Sequence, residues 1–124
     1  MILMAIAAGG FLGAVSRFVI GNAVKRRFPS SFPLGTLSIN VAGAFLLGVL
    51  FGLGIEGGPY AFFGIGFLGA FTTYSTFMVE AWRLEVLGER RRAVLYLVCS
   101  YAGGLSSAFL GLAAGINLIK WLFS

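Results

Sequence analysis

The sequence predicts an all-α integral membrane protein of four transmembrane helices with a broken third helix, and three observations carry that expectation. The 124 residues are 59% apolar and 10% charged. Uncharged stretches occupy residues 1–16, 28–55, 57–79 and 93–119, and the last three exceed the roughly 20 residues that cross hydrocarbon. Within the third, Thr72, Thr73, Tyr74, Ser75 and Thr76 follow one another, and five consecutive residues cannot share one helical face.

Span one is expected over residues 1–23, reaching bilayer length with Arg17 near its far end. No positive residue precedes its apolar run, so it lacks the signal-peptide pattern and is expected to be retained. Span two is expected over 34–55, a short link over 56–59, and span three over 60–80. An unbroken third helix would turn some of the hydroxyls toward lipid, whereas an interruption after Gly69 would turn carbonyls, amides and hydroxyls toward an ion or a water-filled passage. Irregular backbone at that depth survives only where protein or a cavity shields it. Residues 80–92 read as an amphipathic helical extension, with Glu85 and Glu89 four apart and Arg90, Arg91 and Arg92 at its end. Span four is expected over 93–122. Pro29, Pro33 and Pro59 fall between the spans, where a missing amide does least harm. No internal repeat is visible, and residues 1–124 read as one membrane domain.

Charge placement gives orientation. A net charge of +5 would suggest nucleic acid as partner of a soluble domain, but Lys25, Arg26, Arg27 and Arg90, Arg91, Arg92 cluster beside the spans, which is juxtamembrane anchoring and implies no nucleic acid. Seven Lys and Arg residues, those six with Arg83, flank the two basic connections, against Lys120 on the other side. The positive-inside rule then places both termini outside. The single Cys99 can form no internal disulfide and reads as a small packing residue. Small residues recur at helical spacing, as Gly9 with Gly13, Gly48 with Gly52, and Ser107 with Gly111 and Gly115, which lets helix backbones approach closely in lipid.

Enzyme chemistry lacks its parts. The chain has no His and no Asp, and Glu56, Glu80, Glu85 and Glu89 lie near or beyond span ends, so general acid–base pairs, nucleophile triads and His/Cys metal sites cannot be assembled. A proton-coupled transporter would carry an ionisable relay within a span, and the one candidate, Glu80, sits at an edge.

What remains is neutral polarity. Thr36, Asn40 and Gly43 share one face of span two, and an amide in hydrocarbon needs partners, which another helix or a ligand could supply. Tyr96, Ser100, Gly104, Ser107 and Gly111 form a stripe on span four that starts polar and becomes small; a lone Ser there could equally be satisfied by a backbone carbonyl. Arg17 could snorkel to the interface or attract anions at a pathway mouth. Tyr74 and Phe77 lie three apart on one side of the half-helix beyond the break, as core aromatics or as ring edges meeting an anion. Three spans thus present donors, which a dehydrated small anion requires.

Taken together, these residues closely resemble the Fluc fluoride-channel family, also called CrcB. Gly9-Gly10-Phe11-Leu12-Gly13-Ala14-Val15-Ser16-Arg17 resembles its first-helix motif, Gly35-Thr36-Leu37-Ser38-Ile39-Asn40-Val41-Ala42-Gly43 its second, and Gly69-Ala70-Phe71-Thr72-Thr73-Tyr74-Ser75-Thr76-Phe77 its third. The resemblance covers essentially the whole chain. It implies an antiparallel, dual-topology type of dimer with two fluoride pathways and a central structural sodium ion (Na+) held by the backbone carbonyls of Gly69 and Thr72. It also implies a fluoride pathway along Asn40, Tyr74 and Phe77, with Tyr96 and Ser100 as a polar track, Thr36 beside Asn40, and Arg17 drawing anions in. Tyr74 stands where the family usually has phenylalanine, and Gly104 where the track often has serine.

The implied activity is passive, fluoride-selective export across the cell membrane, with the lipid bilayer and the fluoride ion as partners. The strong Lys/Arg bias adds an expectation of its own: one fixed orientation, and a dimer with an oppositely inserted paralogue instead of with itself. The alternative is a small multidrug-type proton-coupled exporter, which would need a carboxylate in span one, where there is none. A non-conducting assembly factor that uses its small-residue stripes only for docking is a further alternative.

Overall fold

The structure, a computed structural model, describes residues 1–28 and 32–123, with Ser75 described by its backbone alone. Pro29 and the side chain of Ser75 therefore lie outside the described residues. The chain forms α1 (Ile2–Arg27), α2 (Leu34–Leu53), a short α3 (Gly57–Tyr60), a π-helical stretch (Ala61–Leu68), α4 (Gly69–Phe71), α5 (Tyr74–Val86) and α6 (Arg90–Leu122). Among the described residues there is no strand. Four segments, Ile2–Arg27, Leu34–Leu53, Gly57–Val86 and Arg90–Leu122, are long and apolar enough to cross a membrane, and the chain is a multi-pass membrane protein. At about 1.5 Å per residue α1 is roughly 39 Å long, so its basic last turn reaches past the hydrocarbon, where cations also complement the helix dipole.

Sequence punctuation explains the element ends. Pro33 stands at the N-cap of α2, and Gly54 closes that helix at φ +70°. Pro59 lies inside the first turn of the third crossing, where its missing amide leaves no helical bond unmade. The expected continuous helix over 80–92 is not formed. Gly88 at φ +80° turns the chain between Val86 and Arg90, so the arginine triplet opens α6. Glu85 closes the turn by accepting from Arg90 at 2.8 Å.

Small residues make the helix contacts within the subunit. A Cβ on Gly111 would stand 2.0 Å from the Phe45 carbonyl oxygen, and one on Gly48 would stand 2.2 Å from that of Ala108, so α2 and α6 touch backbone to backbone. The Gly9–Gly13 stripe receives the π-helical stretch in the same way, Gly13 lying against the Phe67 carbonyl.

The third crossing changes partners midway. Its first half, through α4, packs on α1, whereas α5 packs on α6. Two apolar clusters follow this division: Ile39, Leu68 and Phe71 on one side, and Phe77, Ala81 and Leu84 with Ala93 and Tyr96 on the other.

Candidate ion pathway at the helix break

The break lies after Phe71, two residues beyond the expected place. Gly69 is helical (φ −61°, ψ −39°), and extended backbone begins at Thr72 (φ −80°, ψ 158°) and continues through Thr73 (φ −149°, ψ 123°). The reason is local. The Leu68 carbonyl accepts both the Thr72 N–H (3.0 Å) and the Thr72 hydroxyl (2.8 Å), which completes the last turn of the first half.

Asn40 then seizes the next residue. The Thr73 N–H donates to Asn40 Oδ1 at 2.9 Å, and Asn40 Nδ2 donates to the Thr73 carbonyl at 3.1 Å. In an unbroken helix the Thr73 N–H would serve the Gly69 carbonyl. The Thr76 N–H, which would serve the Thr72 carbonyl, goes instead to the Thr73 hydroxyl at 3.2 Å, the side-chain cap of α5. Gly69 and Thr72 thus both lose their helical donors to side chains. Of the two readings open for Asn40, the helix-to-helix bond is present, and it is made to irregular backbone.

Two cavities meet at this junction. One of about 430 Å³ is lined by Asn40, Gly69, Thr72, Thr73, Tyr74, Phe77 and Ser100, among others. The second, about 380 Å³, is lined by Arg17, Asn22, Lys25, Thr36, Thr73 and Thr76, among others. Thr73 belongs to both walls. Arg17 is half-buried there, and a Cβ on Gly43 would come 2.3 Å from Thr72 Cγ2, which shows how tightly α2 backs the break.

The aromatic pair divides. Phe77 is 5% exposed and meets the rings of Tyr96 (5.2 Å between centroids), Tyr101 (5.9 Å) and Tyr74 (6.1 Å). Tyr74 is 67% exposed and lies outside the buried core of the single chain, on the wall of the cavity it shares with Ser100 and Tyr101 of α6.

Tyr96 is fully buried, with its ring edge against Phe32. Its hydroxyl approaches the Thr36–Glu80 pair without a well-aligned hydrogen bond. Ser100 Oγ, one turn further along α6, is buried and has no hydrogen-bond partner among the described residues. A buried hydroxyl left in this state costs about 1–3 kcal/mol, so a ligand that accepts from it is favoured there.

Sequence reasoning missed two contributors. Glu80 accepts a hydrogen bond from the Thr36 hydroxyl, although its place at the edge of the span suggested no inward role. Thr73 works through its backbone and as a cap; the signal was a Thr at the start of a helix with Thr76 three residues on.

The family model described as CrcB-like protein, Camphor Resistance (CrcB), matches residues 4–112. The chain belongs to the CrcB family. Among its relatives, the protein named fluoride-specific ion channel FluC 2 of Bacillus cereus is 46% identical over 110 residues, covering 89% of this chain and 93% of the relative. Fluoride-specific ion channel FluC 1 of Listeria monocytogenes is 42% identical over 108 residues, 87% of this chain and 92% of the relative. Fluoride-specific ion channel FluC of Sphingopyxis alaskensis is 39% identical over 125 residues, 97% and 96% of the two chains. The CrcB match runs from the start of α1 well into α6, and so covers the whole of the break and both cavities.

Proposed function

We propose that this chain is a fluoride-selective channel, and no enzyme, that lets fluoride leave the cell passively through the cell membrane. The names of its relatives support the ion. The observation that carries the mechanism is the reciprocal pair of hydrogen bonds between Asn40 and Thr73, because it holds the third crossing open between the two cavities without placing any carboxylate at the break. Fluoride gives up a tight hydration shell only to several donors at once. The Ser100 hydroxyl, the remaining Asn40 N–H and the Phe77 ring edge offer them along one cavity wall, with Tyr96 and Thr36 behind. The inside-negative potential drives the anion out with about 2.3 kcal/mol per 100 mV.

A structural sodium ion fits the same break. Gly69 and Thr72, whose carbonyls are relieved of their helical donors, both line the open cavity, and neutral carbonyl oxygens can replace the hydration shell of an alkali ion. When bound, the ion would neutralise those carbonyl dipoles; Asn40 and Thr73 are the residues that keep them turned out. In our reading the ion sits between two inverted subunits, the second being another copy or an oppositely inserted paralogue.

The test is fluoride-electrode efflux from proteoliposomes. Fluoride-selective release that ignores a proton gradient, from this chain alone, supports the channel as a homodimer. Release only from native membrane vesicles in which the chain is made beside its genomic neighbours assigns the partner to a paralogue. Release from neither overturns the reading.

A further inference from the structure

We infer that Lys25 and Arg83 form a cationic gate-post at the basic face, which offsets Glu80 and sets the rate at which anions enter; this rests on the channel reading above. A third cavity, about 440 Å³, opens between the end of α1, the start of α2 and the end of α5. Its charged lining is Lys25, Arg83 and Glu80. Glu80 is held in its wall by the Thr36 hydroxyl, so a carboxylate faces the route an anion would take toward the break. Alone it would repel that anion.

Two cations from different helices answer it. Lys25 and Arg83 are both exposed, and among the described residues the ion pairs are Glu85 with Arg90 and Glu89 with Arg92, which leaves both charges uncommitted. With two cations and one carboxylate the cavity carries a formal charge of +1; with both cations neutralised it carries −1. The sign of the entrance therefore depends on this pair.

Lys25 also connects the entrance to the interior. It lines the cavity that contains Arg17 as well as the one that contains Glu80. Eight residues separate it from Arg17, roughly 12 Å along α1 at about 1.5 Å per residue, with Asn22 between them in the same cavity wall. An anion captured at the surface thus meets a cation, an amide and a second cation in turn. Low-dielectric walls focus such a field and raise local anion concentration.

Neutralising an entrance acts through charge and is screened by salt, whereas damage to the fold is not. In proteoliposomes, Lys25→Gln with Arg83→Gln should slow fluoride efflux about threefold to tenfold at low ionic strength. The deficit should shrink below about twofold near 1 M of an impermeant salt, where the Debye length is about 3 Å. Lys25→Arg in the Arg83→Lys background keeps both charges and should restore wild-type flux. Arg26→Gln with Arg91→Gln removes the same charge from the same face but outside the cavity, and should have less than half the effect. Equal slowing by both double variants, or a deficit that persists at 1 M salt, overturns the proposal. If the wild-type chain gives no fluoride flux in any preparation, the channel reading itself fails; if it conducts and the Lys25/Arg83 variant matches it at low salt, only the gate-post fails.

Discussion

Replacing Asn40 by Ala should close the break. The substitution removes the acceptor at 2.9 Å from the Thr73 N–H and the donor at 3.1 Å from the Thr73 carbonyl. Hydrogen bonds between membrane helices average about 0.6 kcal/mol and reach about 1.7, so the pair is worth about 1–3 kcal/mol. The released Thr73 N–H has an alternative, the Gly69 carbonyl one turn back, which an α-helix would give it. At about 1.4 kcal/mol per tenfold, the equilibrium constant favouring the open break falls roughly 5- to 150-fold, which weakens the proposed sodium site and the proposed passage together. Efflux from proteoliposomes should drop, by up to that factor where open and closed forms are close in energy, and thermal unfolding in detergent should shift downward. Asn40→Asp, which keeps the acceptor and loses the donor, should be impaired as well, since it brings a charge into the span. Full flux with an unchanged melting temperature in Asn40→Ala would refute this account of the break.

Phe77→Ile should abolish fluoride flux while the assembly remains intact on size-exclusion chromatography, because the three rings around Phe77 lose their common neighbour while Ala81 and Leu84 still pack α5 on α6. Gly111→Ala should destabilise by about 1–3 kcal/mol or more, read as lost monodispersity in detergent, since its Cβ would meet the Phe45 carbonyl, which cannot move aside. Gly58→Ala, with open space around it, should be tolerated in the same assay. Sodium should raise the melting temperature more than an equal concentration of N-methyl-glucamine, and Asn40→Ala should remove that difference. Cysteines introduced at either terminus of a Cys99→Ser chain in native membranes should be labelled from one side only, given seven basic residues beside the spans on one face against Lys120 on the other; equal labelling from both sides would exclude a fixed orientation.

The number of crossings and the existence of a break were legible because both depend on composition that a bilayer punishes directly: uncharged runs of spanning length, and adjacent hydroxyls that no single helical face can hide. The position of the break was not. It depends on Asn40 reaching Thr73, 33 residues away in the chain, and local pattern gives no hint of where that reach falls. The split between Tyr74 and Phe77 was hidden for a related reason. Spacing places both on one side of α5, but only Phe77 is covered, by the rings of Tyr96 and Tyr101 from α6, residues distant in the chain. Thr36 and Glu80 are 44 residues apart, and their meeting follows from the turn of the third crossing onto α6, which the sequence does not display. The π-helical stretch has the same composition as its neighbours, so propensity could not single it out.

Two members of the hydroxyl run that first marks the third crossing shape the break itself. Thr72 spends its hydroxyl on the Leu68 carbonyl, and Thr73 spends its own on the cap of α5. These groups end one half-helix and begin the next; the Thr73 hydroxyl keeps the Thr76 N–H from the Thr72 carbonyl, and Asn40 keeps the Thr73 N–H from the Gly69 carbonyl. The donors left for an anion come from elsewhere: Ser100 on α6, and the second N–H of Asn40, whose amide has two donors and uses one for Thr73. The helix-to-helix reading of Asn40 is present in the structure, and in the proposed channel the same side chain would offer its second N–H to the anion, since Asn40 also lines the cavity. That coupling has a consequence for any variant at the break. In that reading, loss of anion contact and loss of backbone geometry arrive together at Asn40, whereas at Ser100, whose hydroxyl has no partner among the described residues, a change to Ala should lower fluoride flux and hold or raise the melting temperature, because it removes an unpaired buried hydroxyl.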